Sequence, residues 1–385
     1  MFLRSDKISI IYGGAEQTGY LCVIHDYSPV NILGRQTVAG GRIQPSRQYI
    51  HIRCPMSDED KDGSGGRSGR GRHGKTAPEG QPWRREGNPG PARPDDGSAA
   101  HLALLAPLGL EGVIDAHCHW FPDNVTEKIW EYFSRHYWPV TYHCSGGERL
   151  RWLRQNRVDG FTTLNYAHRP GMASWLNRWT AQWAGDTPGA ILTGTFYPEE
   201  GVGEYVEEAI GRLGMRGFKL HLRVSAFDPA CAELTPAFER VQEAGLPVVI
   251  HCGSAPDPSR FNEPGAADRL LKRYPRLKLV VAHMGAWEWE HYLGLAERFE
   301  HVYLDTTMVF VDFPACGRFP GQLLGRLEGL SAKILFGSDF PNIPYPLSHA
   351  VESVVSLPLS AEARRGILYG NAIRLFGLDV SGGKP

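Results

Sequence analysis

From Leu108 onward, short apolar runs of strand length alternate with segments whose apolar residues recur every three or four positions. The runs are "VIDAHCH" (113–119), "GFTTLNYA" (160–167), "AILTGTFYP" (190–198), "GFKLHLR" (217–223), "LPVVIHCG" (246–253), "LKLVVAHMG" (277–285), "VYLDTT" (302–307) and "KILFGSDFP" (333–341). Near-continuous apolar strands mark a parallel sheet buried on both faces, because such strands have no solvent side to leave polar. Helical patterns fall between them: "VEEAIGRLG" before the fourth run, "LTPAFERVQEAG" before the fifth, "AADRLLKRYP" before the sixth and "PGQLLGRLEGL" before the eighth. This periodicity predicts an α/β chain folded as a (β/α)8 barrel, the TIM-barrel architecture, over residues 108–380. An open doubly wound sheet would use the same alternation, but no glycine-rich phosphate loop follows the first run.

Upstream the texture is different. Residues 1–55 hold strand-like runs ("KISIIYGG", "YLCVIHDY", "QYIHIRC") without an evident core, and are read as a small hairpin unit or as sequence preceding the native start, with Met56 at the composition break. Residues 56–107 are read as a disordered linker. Its stretch 57–100 is so rich in Gly, Pro, Ser and charge that it cannot bury enough apolar surface to offset chain entropy. The expectation is thus a barrel with a largely disordered N-terminal extension, in which the basic "RSGRGRHGK" is a solvated linker rather than a nucleic-acid site.

Composition narrows the function classes. The chain of 385 residues is 42% hydrophobic and 22% charged with a formal net charge of -1, which gives no reason to expect nucleic acid or a membrane as partner. No apolar stretch approaches the roughly 20 residues that span a bilayer, and the N-terminal apolar run is too short for a secretory signal. Seven scattered cysteines suggest no disulfide framework and point to a reducing, cytoplasmic setting. Cys118 and Cys252 each follow a histidine and, by strand alternation, face away from it as packing residues.

The chemistry lies at the ends of the runs. Side chains on a strand alternate, so His117 and His119 point the same way. The C-terminal strand ends of a barrel build its active site, and there the sequence places His117 and His119 on the first strand, His251 on the fifth, His283 on the sixth and Asp339 on the eighth. Their separations of about four, one and two βα units of roughly 30 residues bring all five to one rim. A lone His-x-His is weak evidence and a lone histidine is usually a hydrogen-bonded core residue. Three polar sites in register after apolar runs are much harder to reach by chance. Imidazoles and a carboxylate suit one divalent ion, Zn²⁺ first, with Mn²⁺, Fe²⁺ or Co²⁺ accommodated by the same ligands. His283 is placed as general acid/base, and Asp339 as a ligand that also takes part in catalysis.

"DAHCH", "GFKLH", "HCG", "AHMG" and "FGSDFPN", in this order, resemble the amidohydrolase superfamily, and within it the amidohydrolase-related branch that includes aminocarboxymuconate semialdehyde decarboxylase. The resemblance covers residues 112–377 and implies metal ligands at His117, His119, His251 and Asp339, a catalytic His283, and a homodimer. Binuclear relatives carry a carbamylated lysine on the fourth strand, where Lys219 stands here; the mononuclear reading is preferred, with Lys219 free to pair with a substrate carboxylate or an internal acid. Candidate substrate-binding residues are Tyr166, His168 and Arg169 after the second strand and His221 and Arg223 after the fourth; either arginine could hold a carboxylate or simply be a surface residue. The long first connection (121–147) either roofs the pocket with aromatics or packs at the barrel mouth. The function expected is a hydrolase of a small organic molecule using metal-activated water. The alternatives are a non-oxidative decarboxylase on the same metal site, and an inactive barrel that acts as a binding protein.

Overall fold

The computed structural model describes residues 100–313 and 317–379; the hairpin and start-site readings for 1–55, and the linker reading as far as residue 99, fall outside them. Strands β1 (Val113–Asp115), β2 (Val158–Thr162) and β3 (Ala190–Ile191) form one parallel ladder. β4 (Thr193–Gly194), β5 (Gly217–His221), β6 (Pro247–His251), β7 (Lys278–Val281), β8 (Val302–Asp305) and β9 (Ile334–Leu335) form a second. β3 and β4 are two halves of the single run expected at 190–198, interrupted only at Leu192: the first half pairs with β2, the second with β5. The sheet closes between β9 and β1 without a regular ladder, through Ala116 N–H to Phe336 O (2.8 Å), Asp339 N–H to His117 O (2.9 Å) and His119 N–H to Phe340 O (2.7 Å). Eight strand positions in order, all parallel, with helices between them, make the (β/α)8 TIM barrel.

Strand alternation sorts the core into two compartments. Phe218, Leu220, Val248, Ile250, Leu279 and Val281 pack outward with helix residues such as Val206, Phe238 and Leu270. The intervening Val249, Val280 and Leu335 point into the barrel, where Ala372, Leu375 and Phe376 of the C-terminal helix Asn371–Phe376 close its floor. Lys219 alternates with Phe218 and Leu220, and His251 follows Val249 by two positions, so both share the inward phase above that floor. On the first strand the ladder ends at Asp115 and the chain pairs again only at His119 with Leu164. Ile114 and Ala116 belong to the inner cluster and Cys118 to the outer one, so the alternation resets between 116 and 118, and His117 and His119 are left facing inward.

The folded region begins earlier than residue 108. Ala100–Leu105 forms a helix against Leu347–Val355, and Ala106–Leu108 a 3-10 turn. Leu105 is fully buried, and His101 Nε2 lies 3.2 Å from the Asn156 carbonyl. Residues 100–107 therefore leave the expected disordered linker and join the barrel; "AHLALL" carries apolar residues that the preceding stretch lacks.

Candidate metal centre

His117 Nε2, His119 Nε2 and a carboxylate oxygen of Asp339 converge at the barrel mouth, all three ligand atoms within 4.8 Å of one another. The nitrogens are 3.2 Å apart, and Asp339 Oδ1 lies 3.5 Å from His117 Nε2 and 3.0 Å from His119 Nε2. Each imidazole is anchored through its other nitrogen: His117 Nδ1 to Asp305 Oδ2 at 2.8 Å, His119 Nδ1 to the Leu164 carbonyl at 3.2 Å. A carboxylate and a carbonyl only accept, so the proton of each neutral imidazole sits on Nδ1 and the lone pair on Nε2 faces the cluster. Three acceptor atoms then face one another in a buried site, an arrangement that calls for a cation between them. The donor set thus fits a divalent ion. Burial, with the neighbouring Lys219 ammonium, holds the His117 pKa well below the usual histidine range, which keeps it in the ligating form.

Charged groups of both signs surround the cluster. Burial pushes the Lys219 amine down to about 8, and its Nζ lies 3.2 Å from His117 Nε2. Burial alone would raise Asp339, but the surrounding His119, His117 and His283 imidazoles outweigh it and hold the carboxyl at about 2, in the ionised form that a cation needs. Beneath the ligands, the fully buried Asp115 accepts from the His117 and Ser338 backbone N–H groups (3.0 and 3.1 Å) and from the Ser338 hydroxyl (2.5 Å), so one carboxylate ties the chain at His117 to the residue before Asp339. Burial raises Asp115 to about 6, against the Ser338 hydrogen bonds that lower it. Gly337 permits this approach: a Cβ there would collide with the Thr307 hydroxyl and lie 2.7 Å from His117 Cβ.

The other expected residues fall into three groups. His251 and His283 are buried beside the cluster: the His283 ring lies 5.2 Å from His117 and 4.8 Å from His251. His283 Nδ1 faces the Thr307 carbonyl at 3.0 Å, and His251 Nε2 the Ala255 carbonyl at 3.0 Å, so His251 stands outside the three-donor set and has only Nδ1 left for a ligand. Tyr166 and His221 form the adjoining wall. The Tyr166 ring lies 5.9 Å from His119, 4.9 Å from His221 and 5.1 Å from Phe121, and His221 stacks on His251 at 4.2 Å. His168, Arg169 and Arg223 are outside the three-donor set. His168 and Arg169 are exposed on the loop after β2, while Arg223 pairs with Asp257 at 2.7 Å, which also accepts from the Tyr137 hydroxyl at 3.3 Å.

Beyond Phe121, which lies against His119 and Tyr166, the long first connection packs rather than roofs. Trp130 and Trp138 are buried and donate to Asn342 at 3.1 and 2.7 Å, and Tyr142 lies 4.7 Å from Phe340, so these aromatics brace the segment that carries Asp339. Asp305, Asp115 and Ser338 went unread in the sequence. The signal for Asp305 was present: it is the one charged residue in the run "VYLDTT", and it ends a strand.

No curated protein matches the chain. Among solved structures it resembles an uncharacterized TIM-barrel protein from Bordetella bronchiseptica (22% identity, TM-score 0.56, covering 69% of this chain and 98% of that one). It also resembles 5-carboxyvanillate decarboxylase from Sphingomonas paucimobilis (20%, 0.51, 70% and 99%) and 2,6-dihydroxybenzoate decarboxylase from Rhizobium (17%, 0.52, 70% and 100%). At these identities the likeness is one of fold. The family model described as Amidohydrolase matches residues 114–378, from the first strand through the C-terminal helix that floors the barrel. The chain belongs to the amidohydrolase family.

Proposed function

We propose that the protein is a metal-dependent, non-oxidative decarboxylase of an aromatic or unsaturated carboxylic acid. The observation that carries this reading is the buried convergence of His117 Nε2, His119 Nε2 and Asp339 Oδ1, lone pairs inward, at the mouth of the barrel. Hydrolysis by the same centre was the first expectation from sequence. The choice of decarboxylation is supported by the solved proteins of this fold: two described as decarboxylases of benzoate-type acids, and a dihydroxybenzoic acid decarboxylase from Polaromonas described with manganese and 2-nitroresorcinol. The aromatic wall of Phe121 and Tyr166 beside His119 suits a planar ring.

His117, His119 and Asp339 would hold one divalent ion, zinc or manganese, with His251 added through Nδ1. When bound, the ion supplies Lewis acidity to the oxygens of the substrate and fixes its orientation. Lys219, uncarbamylated and mainly protonated near pH 7 with its pKa at about 8, adds positive charge beside His117 that favours a carboxylate. Loss of CO2 breaks the bond between carboxyl and ring and leaves the electron pair on carbon, which must take a proton. His283, with Nδ1 held on Thr307, has Nε2 free for that transfer; burial lowers its pKa, so it rests neutral near pH 7 and can take a proton from substrate before returning it to carbon. Tyr166 and His221 position the ring. His168, Arg169 and Arg223 belong to this reading only as outer-loop contacts. The partner is a small molecule, met in the cytoplasm by a homodimer.

The test is CO2 release. Protein loaded with Mn²⁺ or Zn²⁺ is supplied with a panel of hydroxybenzoates and carboxyvanillate-type acids, beside lactones and amides. Release of CO2 from at least one acid, abolished by chelation, is expected. Metal-dependent hydrolysis of a lactone or amide with no acid decarboxylated would return the assignment to hydrolase.

A further inference from the structure

Asp305 closes β8, and its side chain is fully buried. One oxygen, Oδ2, lies 2.8 Å from His117 Nδ1; the other, Oδ1, accepts from the backbone N–H groups of His283 (2.8 Å) and Thr307 (3.2 Å). Thr307 in turn receives His283 Nδ1 on its carbonyl. A single carboxylate therefore grips a cluster imidazole on one side and the backbone of the neighbouring histidine on the other, with every polar contact accounted for. His283 needs such a grip, because it sits in the left-handed region at φ 55°, as does Met284 at φ 48°.

The direction of the His117 bond has a chemical consequence. Imidazole has one proton to place, and the group facing Nδ1 decides where it goes. A carboxylate at Nδ1 keeps the proton there and leaves Nε2 as a lone pair; a donor at Nδ1 would force the proton onto Nε2 and cap the atom that faces His119 and Asp339.

We propose that Asp305 is a positioning residue that fixes His117 in the tautomer presenting Nε2 to the cation and, through its second oxygen, sets the backbone of His283. The assignment rests on the metal-centre reading above. It differs from a packing role, because it depends on the acceptor character of Oδ2 and not on the volume of the side chain.

Asp305→Asn separates the two. The amide keeps the shape, and its oxygen can still accept from His283 and Thr307, while its NH2 donates toward His117 Nδ1 and drives the proton to Nε2. The expected result is a melting temperature close to wild type, with affinity for Mn²⁺ or Zn²⁺ lower by about 10- to 100-fold in a chelator competition. Nitrogen-15 spectra of histidine-labelled, metal-free protein give a second readout, with the His117 signals assigned by their loss in His117→Asn. In wild type Nδ1 should be protonated and Nε2 bare, and Asp305→Asn should exchange them. Wild-type affinity in Asp305→Asn, or a proton on Nε2 in the wild type, would overturn the proposal. If Asp305→Asn does not fold, the wild-type spectrum decides alone. A wild type that binds no metal defeats the metal reading and this proposal together, whereas a metal-binding wild type with an indifferent Asp305→Asn defeats only the role of Asp305.

Discussion

At the scale of single residues, the site concentrates backbone conformations that ordinary side chains avoid. Asp339 at φ 71° and His283 at φ 55° each occupy the left-handed region, at a cost of about 1–3 kcal/mol for a non-glycine residue. Both are held by the groups they serve: Asp339 N–H reaches His117 O, and His283 N–H reaches Asp305. Asparagine tolerates this region better than most residues. His283→Asn should therefore fold as well as wild type and keep its metal, while the rate falls roughly 10²- to 10⁴-fold with the loss of the acid/base group. Paired measurements of metal content and turnover check this; metal lost along with activity would make His283 a ligand. His251→Ala should lower metal affinity and rate together if Nδ1 is the fourth donor, and an unchanged affinity in equilibrium dialysis would leave the centre with three protein ligands. That the five strand-end residues lie close together was legible because strand parity and βα spacing act locally and repeat. Asp305 and Asp115 were not, because their meaning comes from partners such as His117 and Ser338 across the barrel, 188 and 223 positions away in sequence. His168 and Arg169 read as candidate substrate residues from their place in a loop, and both lie exposed after β2.

At the scale of elements, the eight apolar runs were readable because inner and outer faces are both buried, but their lengths were not. The eighth run, expected over 333–341, is a strand only at Ile334–Leu335, and beyond it the chain is held by hydrogen bonds from Ala116, His119 and Asp339 in place of a regular ladder. The reason is chemical. A strand that must deliver Ser338 to Asp115 and Asp339 to the cluster leaves the regular ladder to do so. Gly337 makes the departure sterically feasible, so Gly337→Ala should destabilise the fold by about 1–3 kcal/mol through overpacking and also weaken metal binding. Gly321→Ala, where the new Cβ meets nothing within 4 Å, is the control and should change neither. Chemical denaturation of the two variants reads the difference; equal stabilities would show that the segment after β9 can shift without consequence.

At the scale of the whole molecule, the barrel is completed by a segment that composition placed outside it. Leu105 is 0% exposed, and burying a leucine contributes about 1.5–3 kcal/mol. A chain starting at Ala99 should match the melting temperature of the full protein, while one starting at Ala106 should melt several degrees lower; identical melting would return residues 100–105 to the linker. Among the described residues no helix is long and apolar enough to cross a membrane. The proposed reaction and the role of Asp305 both depend on a cation at His117, His119 and Asp339. Elemental analysis of protein purified after growth with added manganese and zinc tests it directly. About one divalent transition-metal ion per chain is expected in the wild type, and close to none in His117→Ala and His119→Ala of native fold. A folded wild-type protein without metal, or variants that retain it, would rule out a metal centre at these residues.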